Sequence, residues 1–300
     1  FKYIYQEIFF QSIMKKKNLV IIGSRSFIGK NIVENYYKEY NLILINSKII
    51  NLEKKINENK IKKIIPKKSI IIFLAFKTKH ETLSDRNLIE NIEIISKFIN
   101  IISIVKPVKV VFFSSISVYG DNNSYKNYNE KSKVKPDNDY GKAKAVSEIL
   151  LKQTSKNLNF KLLILRIPRV YGKYDYKNNY GPTKFLNDLN TKKNIYIWGD
   201  GKEQKHFLYI KDLLFNLNYL LLRNKVGTYN LCPTENHSFV FIAKLVLKSF
   251  NSNLKIISNK RNGIKSNHII DNSKILKLKD IKFTNMKSTL KEYYLKNNFI

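Results

Sequence analysis

Residues 18–29 read Asn18-Leu19-Val20-Ile21-Ile22-Gly23-Ser24-Arg25-Ser26-Phe27-Ile28-Gly29. An apolar run of strand character enters a glycine turn, and residues 27–39 continue with helical spacing. A strand, a tight turn and the N-terminus of a helix together make a cradle for a pyrophosphate. Gly23 supplies the turn and Gly29 permits close packing of helix on strand, with Ser26, Phe27 and Ile28 completing the loop. The same letters also fit an ordinary strand–turn–helix connection, so the surrounding sequence has to decide.

Outward from that stretch, apolar runs recur at 41–46, 69–75, 108–114 and 161–166, with helical stretches near 86–104 and 140–156. Strands alternating with helices imply a parallel sheet covered on both faces, and Ile/Val-rich runs without polar alternation suit strands buried on both sides. The expected fold is α/β: a Rossmann-type doubly wound parallel sheet over residues 14–168. A smaller, mainly substrate-binding region follows over 169–300, with parts of 206–232 returning to the first. That region has short strands near 194–198 and 228–231 and helices near 182–191, 211–223 and 238–250. Tyr196 and Trp198 are expected to pack the junction between the two regions. Segment 120–139 is polar and reads as a long loop of the kind that carries function.

The formal charge of +32 invites a nucleic-acid reading. Composition argues against it. The chain holds 49 lysines but six arginines, together with 37 asparagines and abundant isoleucine, as an AT-rich coding bias would give, and the lysines are spread throughout. No apolar run nears the roughly 18 residues of a membrane span. One cysteine, Cys232, excludes an internal disulfide framework and a multi-cysteine zinc site, and fits a reducing cytoplasm. The four histidines lack ligand-like spacing, so no metal is expected. Residues 1–13, before Met14, read as an extension.

The second strand ends at Ile45-Asn46-Ser47-Lys48, where an NAD site usually has an acid for the ribose. Lys48 and, in the glycine turn, Arg25 stand there instead. Two cations and no carboxylate favour NADP(H) over NAD(H). The strand at 108–114 delivers Ser114-Ser115-Ile116-Ser117-Val118-Tyr119-Gly120 at its C-terminal end, where ligands of open α/β sheets bind. Further on, Tyr140-Gly141-Lys142-Ala143-Lys144 opens a helix. Tyr140 and Lys144 are one turn apart on one face. An ammonium beside a phenol favours the phenolate, which suits Tyr140 to acid–base work. Ser115 is placed to hydrogen-bond the same reacting oxygen.

With these residues in view, the chain from Met14 onward resembles the extended short-chain dehydrogenases/reductases, specifically the NAD(P)-dependent epimerase/dehydratase family of nucleotide-sugar enzymes. GSRSFIG resembles the family's GxxGxxG, and Leu74-Ala75-Phe76 its Leu-Ala-Ala-like strand end. FFSSISVYG resembles the serine motif, and YGKAK the YxxxK motif. WGDGKEQKHFLYIKDL and YNLCPTENHSF resemble the family's later segments. The glycine turn with its arginine is most similar to that of GDP-fucose synthases, which use NADPH.

The resemblance implies catalytic Ser115, Tyr140 and Lys144. It implies a dinucleotide held by Gly23, Arg25, Ser26, Phe27, Ile28, Gly29, Ser47, Lys48, Leu74, Ala75, Tyr140 and Lys144. Ser117, Arg169 and Lys205 would touch a nucleotide-diphosphate sugar, and a homodimer would form through the helices near 86–104 and 140–156. His206 lies in the stretch that resembles a diphosphate-binding segment. Ser26 replaces the middle glycine, so its Cβ crowds the pyrophosphate. Ile116-Ser117 stands where dehydratases carry Asp-Glu, and the family's epimerising cysteine would fall near Ile116. What remains is redox at a sugar carbon, as in a 4-keto reductase or a 4-epimerase. The rival is a catalytically silent protein that senses a dinucleotide on the same fold.

Overall fold

The computed structural model describes residues 16–78, 86–120, 127–175, 181–261, 267 and 269–296. The extension at 1–13, His80 and His268 lie outside them. The first half runs β1 (Asn18–Ile22), α1 (Phe27–Tyr36), β2 (Asn41–Ile45), α2 (Glu58–Ile64), β3 (Ile70–Phe73), α3 (Asn87–Val105), β4 (Lys109–Ser115), a 3-10 turn (Ile116–Tyr119), β5 (Asn127–Tyr128), α4 (Asp139–Leu158) and β6 (Lys161–Ile167). It continues through β7 (Arg169–Tyr171), α5 (Pro182–Asn190), β8 (Ile195–Trp198), β9 (Gln204–Lys205), β10 (Phe207–Tyr209), α6 (Ile210–Leu222) and β11 (Gly227–Asn230). The remainder is β12 (His237–Ser238), α7 (Phe239–Ser249), β13 (Ile256–Asn259), β14 (Ile269–Ile270), α8 (Ser273–Leu276) and α9 (Met286–Lys296).

Six strands form one parallel sheet in the order β11-β6-β4-β3-β1-β2. Its strands alternate between two apolar layers. Val20, Ile22, Ile71, Phe73, Val110 and Phe112 face α3, where Phe98 stacks on Phe73 at 4.0 Å. Leu19, Ile21, Ile72, Val111 and Phe113 face the other way, against Ile32 and Tyr36 of α1 and Leu213 and Leu217 of α6. Each such side chain stabilises the fold by about 1.5–3 kcal/mol relative to an exposed position. This double coverage is why the strands read as continuous apolar runs.

Helix ends follow local chemistry. The Ser26 side chain caps α1 by accepting from the Gly29 N–H, and Asn138 caps α4 by accepting from the Gly141 N–H. Helix α3 closes on Lys106 and α4 on Asn159, both left-handed. Helix α2 was not legible from periodicity: its charged ENKIKKI buries Ile61 alone.

Beyond β6 the strands pair in twos: β7 with β10, β8 with β13, β9 with β12. Helix α6 and strand β11 return to the sheet, β11 lying beside β6. The polar segment 120–139 contains β5, which pairs with β14 far along the chain. The expectation for Tyr196 and Trp198 is corrected. Strand β8 alternates, so Ile195 and Ile197 fill the core while Tyr196 and Trp198 are 45% and 53% exposed. Among the described residues no helix is long and apolar enough to cross a membrane.

Candidate active site

The glycine turn joins β1 to α1 at the C-terminal edge of the sheet. The N–H groups of Gly23 and Ser24 both donate to the Ile45 carbonyl, at 2.9 and 3.1 Å, tying the turn to the end of β2. Gly23 has φ +94°, and a Cβ there would stand 2.9 Å from the Ala75 nitrogen. A Cβ on Gly29 would stand 2.5 Å from the Gly23 carbonyl oxygen. The turn is therefore packed against itself and leaves its outer side to a ligand. Gly29→Ala must push α1 off the turn, and is expected to cost about 2–3 kcal/mol, measured as a lowered urea midpoint. An unchanged midpoint would show that the helix yields freely. Phe27 and Ile28 direct their side chains into the core, so what they offer an anion is backbone. Ser26 is the cap of α1, a use of its hydroxyl that the motif alone did not reveal. Arg25 is exposed.

A cavity of about 300 Å³ opens beside the turn, over the ends of β1, β2 and β3. Gly23, Asn46, Ser47, Asn51, Ala75 and Phe76 contribute to its wall. A cradle that Cβ atoms would fill, beside such a cavity, fits the adenosine diphosphate half of a dinucleotide. The sequence reading missed Asn51, Leu52, Glu53 and Lys77, which also line it and carry no glycine or spacing signal. Glu53 and Lys77 close one side with an ion pair of 3.1 Å, and Asn91 of α3 pins the Lys77 backbone through its N–H and carbonyl. Asn46, where an acid would hold the ribose, accepts from the Lys48 N–H at 2.9 Å. A second groove of about 310 Å³ shares Ser47, Ile50 and Asn51 with the first and is lined by Lys48, Lys54, Lys55 and Lys60.

Ser115 ends β4. Its hydroxyl accepts from the Ser117 N–H at 3.1 Å and lies 3.2 Å from the Ser117 hydroxyl, so the two serines share one turn. The N-terminus of α4 lies directly against that turn: a Cβ on Gly141 would stand 2.6 Å from the Ser117 carbonyl oxygen. Glycine at this position lets the first turn of α4 pack closely on the serine turn. Lys144, one turn on, is buried, donates to the Phe113 carbonyl at 2.7 Å and lies 5.5 Å from the Tyr140 ring centre. Burial pulls its ammonium down to about 7, against the opposing attraction of Glu148.

Glu148 and Arg166 were not singled out from sequence, although Glu148 repeats the Lys144 face one turn later. Arg166 of β6 binds the Glu148 carboxylate through Nε at 2.9 Å and Nη2 at 2.7 Å. Ser114 donates to the same carboxylate at 2.6 Å. Arg166 also donates to the Tyr119 hydroxyl, which donates to Asn230 of β11. Burial opposes the Glu148 charge, but Arg166, Ser114 and Lys152 hold its carboxyl below the usual range. The network fixes the serine strand, the Tyr/Lys helix and β11 to one another.

The residues expected to touch substrate are more scattered. Ser117 belongs to the serine turn; Arg169 lies on β7 with its guanidinium 6.0 Å from the Phe239 ring centre; Lys205 is buried on β9. His206 is a structural residue. Its Nε2 accepts from the Ile270 N–H at 3.1 Å, and Nδ1 faces the carbonyls of Pro233 and Glu235 at 2.9 and 3.1 Å. Cys232 is buried, and burial pushes its thiol up, which disfavours the thiolate. Among the described residues no cluster of His, Cys, Asp and Glu could hold a metal.

The sequence model of the NAD dependent epimerase/dehydratase family matches residues 19–232. A dTDP-D-glucose 4,6-dehydratase of Dictyostelium discoideum is 31% identical over 150 residues, covering 46% of this chain and 34% of that protein. The match thus spans about a third of that relative's length. Among solved structures, a UDP-N-acetylglucosamine 4-epimerase from Methanobrevibacter ruminantium M1, in complex with UDP-N-acetylmuramic acid, superposes with a TM-score of 0.81 at 22% identity, covering 94% of this chain and 98% of that one. RMD from Pseudomonas aeruginosa, complexed with NADPH, gives 0.78 at 17% identity and covers 94% and 98%.

Proposed function

Since the chain belongs to the NAD-dependent epimerase/dehydratase family, we propose that it carries out NAD(P)-linked redox at a carbinol carbon of a nucleotide-diphosphate sugar, as a 4-keto reductase or 4-epimerase. The observation that supports this is the close approach of α4 to the serine turn at Gly141, with Lys144 one turn on at 5.5 Å from the Tyr140 ring centre. A nicotinamide dinucleotide, held by the glycine turn and the cavity beside it, would supply or accept the hydride. Tyr140 exchanges the proton with the sugar oxygen. Ser115 donates a hydrogen bond to that oxygen. Lys144 keeps positive charge beside the phenol and holds ribose hydroxyls. Ser117, Arg169 and Lys205 are assigned to the nucleotide-sugar. Ile116, apolar and buried, cannot give the proton that loss of water from a neighbouring carbon requires, so dehydration is not the proposed reaction even though the Dictyostelium discoideum relative is a dehydratase.

NADP(H) is proposed over NAD(H), because four lysines line the groove next to Ser47 and no carboxylate ends β2. Titration with NADPH and NADH, followed by nicotinamide fluorescence, tests this. Tighter NADPH binding to a protein isolated free of dinucleotide supports the reductase; co-purified NAD supports the epimerase and removes the role of Arg25 and Lys48. A cytoplasmic homodimer through α3 and α4 belongs to the same reading, which Ile89 and Ile149, 59% and 66% exposed on those helices, support.

Because the buried Lys144 loses its proton near pH 7, a dinucleotide that needs its ammonium must restore that proton above pH 7. Binding at pH 8 is expected to take up roughly one proton, read by calorimetry in buffers of different ionisation enthalpy. Zero uptake, or the same uptake in Lys144→Met, refutes the assignment. A silent dinucleotide sensor is the second reading. It is favoured by one observation: none of Ser115, Tyr140 and Lys144 lines the cavity.

A further inference from the structure

The cavity stops at an aromatic ring. Phe76 forms part of its wall, and the same ring covers Lys144, whose Nζ lies 3.7 Å from the ring centre. Phe112 backs the ammonium at 4.9 Å, and Tyr140 meets Phe76 edge-on, with ring centres 5.9 Å apart and planes at 86°. An ammonium carries three donors. Among the described residues the one hydrogen bond of Lys144 goes to Phe113, so its other donors face aromatic surface. Where the family resemblance places a second alanine, this chain puts a phenylalanine.

The backbone on either side is held. The Phe76 N–H donates to Leu74 at 2.9 Å, and the Lys77 N–H donates to Asn91 at 2.9 Å. The ring, however, is only half-buried. Rotation about its own χ angles is therefore the motion left to it.

We propose that Phe76 is a gate between the two halves of the dinucleotide site, closed over Lys144 in the free protein and turned away when the ribosyl-nicotinamide half enters. This rests on the preceding reading. An adenosine diphosphate group finds its cavity open in the closed state. The nicotinamide ribose finds the lysine donors only in the open one. The apparent affinity for the whole dinucleotide is then the intrinsic affinity scaled by the open fraction, whereas the affinity for adenosine diphosphate alone is not scaled. Phe76 is a positioning residue, acting through Lys144.

The test compares wild type, Phe76→Leu and Phe76→Ala. Each is titrated with ADP and with whichever of NADPH and NADH binds wild type more tightly. Lys144 acetylation by acetic anhydride is followed in parallel by peptide mass spectrometry. The expected result is a dinucleotide Kd that falls relative to the ADP Kd of the same protein, roughly tenfold in Phe76→Ala and less in Phe76→Leu, with Lys144 labelled faster. Leucine keeps most of the volume, so it reports even where alanine disturbs folding. A dinucleotide Kd unchanged or raised relative to the ADP Kd in both variants, with ADP still bound, overturns the gate and leaves the dinucleotide site standing. Failure of all three proteins to bind either probe overturns the dinucleotide reading, and the gate with it.

Discussion

Tyr140→Phe is expected to lower turnover by about 1,000-fold or more while dinucleotide affinity stays within about twofold. The substitution removes one oxygen. The ring stays, and with it the edge contact to Phe76 and the place of α4 against the serine turn. The loss should therefore fall on kcat and leave the dinucleotide Kd alone. Positioned proton transfer contributes typically 10²–10⁴-fold. Nicotinamide absorbance with a panel of nucleotide-diphosphate sugars and their 4-keto forms gives the rate, and fluorescence titration gives the affinity. A variant that kept a tenth of wild-type turnover would remove Tyr140 from the chemistry. Wild-type protein that turned over no member of the panel, yet bound dinucleotide, would turn the balance to the silent sensor.

The second large effect concerns stability. Glu148→Ala leaves Arg166, which is 2% exposed, without the carboxylate that accepts two of its hydrogen bonds, and leaves the Ser114 hydroxyl without an acceptor. Breaking a buried pair in this way typically costs about 3–5 kcal/mol. For a chain of this size that is a fall in Tm on the order of 10 °C. The folded Glu148 carboxyl lies below its ordinary 4.5, so the unfolded chain binds that proton more readily. Its stabilisation is complete above about pH 4.5 and disappears as pH falls through the folded value. Glu148→Gln should therefore flatten the acid limb of stability against pH, besides lowering its plateau. Thermal melts between pH 3 and 7 read both effects. An acid limb of unchanged slope would mean that other carboxylates govern acid unfolding.

Much of this could be read from the letters because the decisive features are local. The glycine turn, the serine strand end and the Tyr140/Lys144 spacing are each set within a few residues, and the strands are continuous apolar runs because both faces are buried. What escaped depends on partners distant in sequence. Arg166 meets Glu148 across 18 residues and Asn230 meets Tyr119 across 111. No periodicity announces either pair. Strand β5 exists only because β14 lies beside it. Tyr196 and Trp198 look like junction residues by size, but the two-residue repeat of β8 gave the inner positions to isoleucine. The role of Phe76 follows from what its ring covers, and the motif showed only that a small residue had been replaced.

The threading of the chain has a consequence for modularity. It leaves the sheet after β6, returns in α6 and β11, leaves again at Leu231 and comes back with α8 against β11. A fragment ending at residue 168 would lack the sixth strand and bare the edge of β6. Neither portion is a cassette. Recombination with relatives can exchange individual pocket loops, but a whole-lobe swap would have to recut four junctions and rebuild a sheet edge at once.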